Sequence, residues 1–338
     1  MGGLFQQKRI VGVDLSETKA TLIQARKRFE KLEIEKFFVV EKSGDGEKRF
    51  PNVKGKLSFD IEDVIVTNAR MDSVIFITID VPPKLKRREY EEMAKLEAAR
   101  NFGISAEEIL STLVGRTENK GIFAIAKKEN ISETVLKNLE DLGIGEPDVL
   151  IPDVFKYLYA IDVSLKGNLI FVVLSFVNNY IAVILQSFME TLGIRVIFRE
   201  LSRMIDFIRE NSGMDVYQIE STDELNDTEI AFLKGELADL SLEIVREISL
   251  TINESIQNIS LDDINAVVLI TDPNVFEDIF KEAFSSVNSN LTLGKFSLKH
   301  SANFPNIWLN IYKGALGLTL RGVESGRIKS VFIKKKKG

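Results

Sequence analysis

The chain has 338 residues, of which 45% are hydrophobic and 28% charged, with a formal net charge of −6. This is the composition of a soluble globular protein of about two domains with a sizeable core, and its negative balance disfavours a nucleic-acid surface. It has no cysteine and only one histidine, His300. That removes thiol catalysis, disulfides and cysteine-ligated metals, and argues against histidine metal sites and Ser-His-Asp triads.

Residues 1–9 hold no apolar run of the kind a signal peptide needs. Ile10–Val13 and Ala20–Ala25 are apolar runs flanking the polar turn Ser16-Glu17-Thr18-Lys19, a β-hairpin pattern. Residues 10–13 show no alternation, so the first strand is expected to be buried on both faces. Asp14 ends that strand. A carboxylate there is costly unless something uses it, and two uses stand open: a phosphate-bound metal, or a hydrogen-bonded turn.

Leu32, Ile34, Phe38 and Val40 mark a third strand with Glu33 and Glu35 facing outward, and 41–58 reads as a loop. Val64–Asn68 fits a helix or a strand. Val74–Ile79 is a strand stopped by Pro82-Pro83. A helix over 86–102 has Tyr90, Met93, Leu96 and Ala99 at helical spacing and ends at Gly103. Strands follow at Thr112–Arg116 and Gly121–Ala126, then a helix capped by Ser132 and ended by Gly143. Pro152-Asp153 opens a helix whose apolar positions are Phe155, Leu158, Tyr159 and Ile161.

The pattern then restarts. Leu169–Leu174, a turn at 175–179, Tyr180–Leu185 and Arg195–Glu200 repeat the opening meander. Asn178-Asn179 divide this stretch into runs too short to span a bilayer. A helix from Ser202, a long stripe from Ile230 to Ile259, a strand at Ala266–Ile270, a helix after Thr271-Asp272-Pro273-Asn274 and a last helix over Trp308–Arg321 complete the chain. Asp262-Asp263 and Asp272 read as caps and turns, and no metal site is expected. Lys84–Arg88 is basic but is followed at once by acidic residues. Lys334–Lys337 suits either a solvated tail or an anionic membrane face.

Two meander lobes with a small insertion in the first suggest an α/β actin-like ATPase fold. Leu4-Phe5, the run Lys8–Asp14 and Ala315–Arg321 resemble the opening and closing segments of PilM proteins, FtsA-like cytoplasmic components of type IV pilus and related secretion machines. Leu96-Glu97-Ala98, Phe102-Gly103-Ile104-Ser105 and Glu107-Glu108-Ile109 are similar to that family's signature in its inserted subdomain. The resemblance implies a first lobe of 1–79 and 147–166, an inserted α+β subdomain of 80–146 and a second lobe of 167–338, with a subdomain of its own near 212–260.

For function, the resemblance implies a scaffold at the inner face of the cytoplasmic membrane. It would capture a short N-terminal peptide of a PilN-like membrane protein beside Leu96, Phe102 and Ile104, associate with the membrane through that partner, and form homo-oligomers in some settings. The family's nucleotide would meet Asp14, Ser16, Thr18 and Lys19. A phosphate loop needs glycine, because a Cβ obstructs the approach of backbone N–H groups. Here Ser16 replaces the glycine, the second loop falls on Leu174-Ser175-Phe176 without its Asp and Gly, and the adenosine-binding glycines are missing near Thr271-Asp272-Pro273. A vestigial site without ATP or magnesium is therefore expected, and no catalytic residue is assigned. An ATP-binding, polymer-forming ATPase and a GspL-like cytoplasmic domain of type II secretion remain as alternatives.

Overall fold

A computed structural model describes the chain except residues 1–8, 45–47, 58–62, 189, 289, 300–305, 324–329 and 334–338. Leu4-Phe5, His300 and Lys334–Lys337 thus lie outside the described residues. In chain order the elements are β1 (Arg9–Leu15), β2 (Lys19–Arg28), β3 (Lys31–Glu41), β4 (Val64–Ala69), β5 (Ile75–Asp80), α1 (Arg87–Phe102), β6 (Ile109–Arg116), β7 (Lys120–Lys127), α2 (Lys128–Ile131) and α3 (Lys137–Asp141). There follow β8 (Val149–Pro152), α4 (Asp153–Ala160), β9 (Ile161–Val163), β10 (Asn168–Ser175), β11 (Tyr180–Ser187), β12 (Glu190–Phe198), α5 (Ser202–Ser212) and α6 (Asp227–Asn253). Last come β13 (Ile264–Asp272), α7 (Glu277–Val287), β14 (Phe296–Leu298), α8 (Asn306–Gly322) and β15 (Ser330–Ile333).

The chain divides into two compact units: residues 1–70, 130–162 and 297–338, and residues 71–129 with 163–296. In the first unit a six-stranded sheet runs β15-β3-β2-β1-β4-β8. The opening hairpin pairs Arg9 with Arg26 through Leu15 with Ala20, and β4, left open between helix and strand, pairs parallel to β1. Val11, Val13, Leu22 and Ile23 are fully buried, as the unbroken apolar runs require. On β3, Glu33 departs from the expected outward face: a bulge opposite Gln24/Ala25 shifts the register, and Glu33 is buried against Arg28 at 3.2 Å.

Helix α8 is buried on nearly every side, from Trp308 through Lys313, Ala315, Leu316 and Leu318 to Leu320. It packs against β1, β2 and α4, so it belongs to the first unit and not to the second lobe expected from the sequence. The reason is local: β1 carries Gly12, and a Cβ there would stand 2.5 Å from the Ala315 carbonyl oxygen, so only a bare backbone admits the helix. Tyr312 of α8 lies edge-on to Phe37 at 5.1 Å and beside Trp308 at 4.9 Å.

Burial pushes the Tyr312 phenol above its usual 10.0. The unfolded phenol ionises near 10 while the folded one keeps its proton, so the folded state binds more protons in that window and loses stability as pH rises through it. Urea midpoints measured from about pH 8 to about pH 11 are expected to fall less steeply for Tyr312→Phe than for wild type.

In the second unit a four-stranded sheet runs β12-β11-β10-β13, with β10 and β13 parallel. It repeats the β3-β2-β1-β4 order of the first unit, the architectural repeat expected from the two meanders. Ile170, Val172 and Leu174 pack with Leu233, Leu237, Ile244 and Ile248 of α6 and Phe280 and Phe284 of α7. Asn226 caps α6 in a reciprocal box with Glu229.

A small sheet, β5-β7-β6, carries α1 on one face through Tyr90, Ala94, Ala98, Ile109, Phe123 and Ile125. The expected insertion of 80–146 is divided between the units. Its strands go with β12 of the second unit, where a Cβ on Gly115 would stand 1.8 Å from the Thr191 carbonyl oxygen. Its last helix goes with the first unit, where the Val53 N–H donates to the Leu142 carbonyl at 2.9 Å. That helix starts at Lys128, and Ser132 opens a π-helical turn within it instead of capping it.

Candidate functional site

The sequence-predicted residues fall in two places. The first is the carboxyl end of the first unit's sheet, the edge at which open α/β sheets hold their ligands. Asp14 stands there on β1, Thr67 and Asn68 on β4, and Asp153 and Lys156 on α4, directly after β8. The Lys156 ammonium donates to Asp14 Oδ1 and to Asp153 Oδ1, each at 2.7 Å. Asn68 Nδ2 donates to the same Asp153 oxygen at 2.5 Å and to the Leu15 carbonyl at 2.9 Å, while Asn68 Oδ1 accepts from the Leu15 N–H at 2.8 Å. Thr67 Oγ1 donates to the Val13 carbonyl at 2.8 Å.

Burial makes this cluster unusual. Lys156 is 1% exposed, and Asp153 and Asn68 are 0% exposed. A lysine taken out of water to this degree is tolerated only when paired and hydrogen-bonded. The Tyr157 ring adds a second attraction, with Lys156 Nζ 4.8 Å and Lys313 Nζ 5.6 Å from its centre. Helix α8 closes over the pair at Gly314, where a Cβ would meet Asp14 Oδ2 at 1.9 Å and Lys156 Cε at 3.0 Å.

The adjoining turn is spent on itself. The Ser16 N–H and Ser16 Oγ both donate to the Lys19 carbonyl at 2.9 Å, and the Lys19 N–H donates back to Ser16 Oγ at 3.1 Å. Thr18 is exposed, and its carbonyl accepts from the Lys42 N–H at 2.8 Å. A phosphate cradle needs backbone N–H groups turned outward, and here those of Ser16 and Lys19 are turned inward. Among the described residues no three Asp, Glu or His side chains converge to hold a metal ion.

The corresponding turn of the second unit is filled by aromatic side chains. Phe176 is fully buried, its N–H donates to the Asp272 carbonyl at 3.1 Å, and its ring lies 4.3 Å from that of Phe276 at a 37° tilt.

The second place is α1. Leu96 is 63% exposed, because Tyr90, Ala94, Ala98 and Ala99 supply the buried face of the helix. Phe102 and Ile104 are half-buried against that helix's own core, with Lys127 Nζ 5.1 Å from the Phe102 ring centre. The three residues thus sit in one subdomain, but only Leu96 is fully presented.

Sequence reasoning missed Lys156 and Asp153 as site residues. Helical periodicity counts apolar positions, and a lysine three residues after an aspartate reads as a solvated pair. The available signal was the helix starting directly after a strand, at the sheet edge where Asp14 already lay.

The fold these units define is that of the actin-like ATPases. The chain is similar to the solved PilM–PilN type IV pilus biogenesis complex, at 17% identity and a TM-score of 0.63 over 93% of this chain and 98% of that one. It also aligns with the archaeal actin homologue Ta0583 at 10% identity and a TM-score of 0.43 over 94% of this chain and 99% of that one. The cytoplasmic domain of EpsL, from the type II secretion system of Vibrio cholerae, aligns at 12% identity and a TM-score of 0.36 over 61% and 76%. No protein-family model and no curated protein sequence matches the chain. Among the described residues no helix is long and apolar enough to cross a membrane.

Proposed function

We propose that this protein is a nucleotide-independent cytoplasmic scaffold of a type IV pilus or related secretion platform, held at the inner membrane face by a short N-terminal peptide of a PilN-like membrane protein. The observation that carries the reading is the likeness to PilM in its complex with PilN over nearly the full length of both chains. The self-satisfied Ser16–Lys19 turn and the lysine-bound Asp14 support the nucleotide-independent part.

The exposed face of α1 around Leu96 is the proposed contact. A leucine standing 63% in solvent is an anchor that a partner can cover. Its substitution also separates binding from folding. Ile104→Asp would place a carboxylate against the subdomain's own core, whereas Leu96→Glu disturbs no buried contact and should change stability by less than about 0.5 kcal/mol. The test is titration with a synthetic peptide copying the N-terminus of the PilN-like protein encoded by the same organism. Wild type is expected to bind it, and Leu96→Glu to bind at least about tenfold more weakly at unchanged thermal midpoint. No binding by wild type rejects the partner, and undiminished binding by Leu96→Glu rejects the contact.

A further inference from the structure

We propose that Lys156 is the first unit's resident counter-cation: its ammonium group takes the charge-balancing role at Asp14 and Asp153 that an external cation would otherwise fill, so the unit is closed without a ligand. The inference deepens the nucleotide-independent part of the reading above and is separate from the peptide contact.

Three observations converge on it. The first is reach. Asp153 and Lys156 are three positions apart on α4, a spacing that alone makes a surface pair, yet the lysine extends to a carboxylate 142 residues away on β1. The second is burial. Lys156 and Asp153 have essentially no exposure, and the Asp153 oxygen that binds the ammonium also receives Asn68, so its acceptor capacity is met inside the protein. Such a cluster holds together only while all members are present, since removing one leaves an uncompensated buried charge. The third is the lid. The bare backbone of α8 at Gly314 leaves no room for a methyl group beside Asp14 Oδ2, so an additional ligand cannot enter from that side without displacing the helix.

The side chain that fills the role is covalently tethered. Its effective concentration exceeds that of a free ion, and no cellular ion or nucleotide level would alter its occupancy. Removal of the ammonium should turn the pair of carboxylates into a site for a small cation. Shortening Lys156 to alanine leaves Asp14 Oδ1 and Asp153 Oδ1, both formerly 2.7 Å from Nζ, facing the vacated space. Lys156→Met removes the charge and keeps most of the bulk.

The experiment uses the full chain and the probes MnCl2, methylammonium chloride and ATP with Mg2+, each to about ten times the concentration that would half-saturate a millimolar site. Wild type is expected to show no saturable binding of any of the three by calorimetry. Lys156→Ala is expected to melt several degrees lower and to recover at least half of that loss in Mn2+ or methylammonium, with Lys156→Met recovering none. A double-variant cycle covers the case in which Lys156→Ala does not fold: Asp14→Asn should lower the folding equilibrium constant at least about tenfold in wild type and several-fold less in Lys156→Met. Saturable Mg-ATP binding by wild type that Asp14→Asn abolishes would overturn the inference, as would equal costs of Asp14→Asn in the two backgrounds. Failure here leaves peptide capture by α1 standing, and failure of peptide capture leaves the tethered cation standing.

Discussion

Gly317→Ala is expected to destabilise the first unit by about 3 kcal/mol or more, in a helix where alanine ordinarily helps. A Cβ at this position would lie 1.8 Å from the Lys156 carbonyl oxygen and 3.3 Å from the Ala160 side chain. The obstacle is backbone, so no rotamer change relieves it, and α4 and α8 must separate along their whole contact. That separation would withdraw Gly314 from the ion cluster and pull Lys156 out of register with Asp14, adding loss of charge pairing to loss of packing. The control is Gly235→Ala on α6. It is exposed, nothing lies within 4 Å of the added Cβ, and the substitution should stabilise by up to about 1 kcal/mol through helix propensity alone. Urea denaturation of the two variants should therefore move the midpoint in opposite directions. A neutral Gly317→Ala would mean that α8 is free to shift, and the close approach would no longer explain how the cluster is sealed.

The same contact shows where sequence reading succeeds and where it stops. The opening hairpin, its repeat at 168–187 and the long stripe of α6 were legible because burial on both faces, or on one helical face, leaves a pattern in the order of apolar residues. Asp14 was legible as a costly carboxylate. Its partner was not: Lys156 pairs across 142 positions, and a polar residue buried by pairing leaves no periodic trace. The exposure of Leu96 was hidden for the opposite reason. It fits the helical period, but three alanines with less area define the face that packs, since small side chains let α1 approach its sheet. The placement of α8 was hidden as well, because glycine on a strand signals close approach without saying what approaches. Strand β15 has only four residues, paired parallel to β3, too short a run to announce itself.

Phe176→Ala is expected to cost the second unit about 3–5 kcal/mol, the range for truncating a fully buried phenylalanine. The ring is 0% exposed and tilts against Phe276, which is 0% exposed too, at the carboxyl end of β10 and β13. Its loss would leave a cavity among the packed apolar side chains of the second unit's core, beside Phe276. Phe276→Ala should cost a similar amount, and the double variant less than the sum, because each truncation already removes the shared ring contact. Chemical denaturation followed by tryptophan-independent circular dichroism measures all three. The result bears on function through a geometric exclusion. A bare backbone at position 176 is what a phosphate would require, and the aromatic pair is what holds this turn down on its sheet; one position cannot supply both. Phe176→Gly is expected to unfold the turn as well, since it removes the same ring. A cost below about 1 kcal/mol would instead mean that the ring is dispensable and the turn is free to receive a ligand.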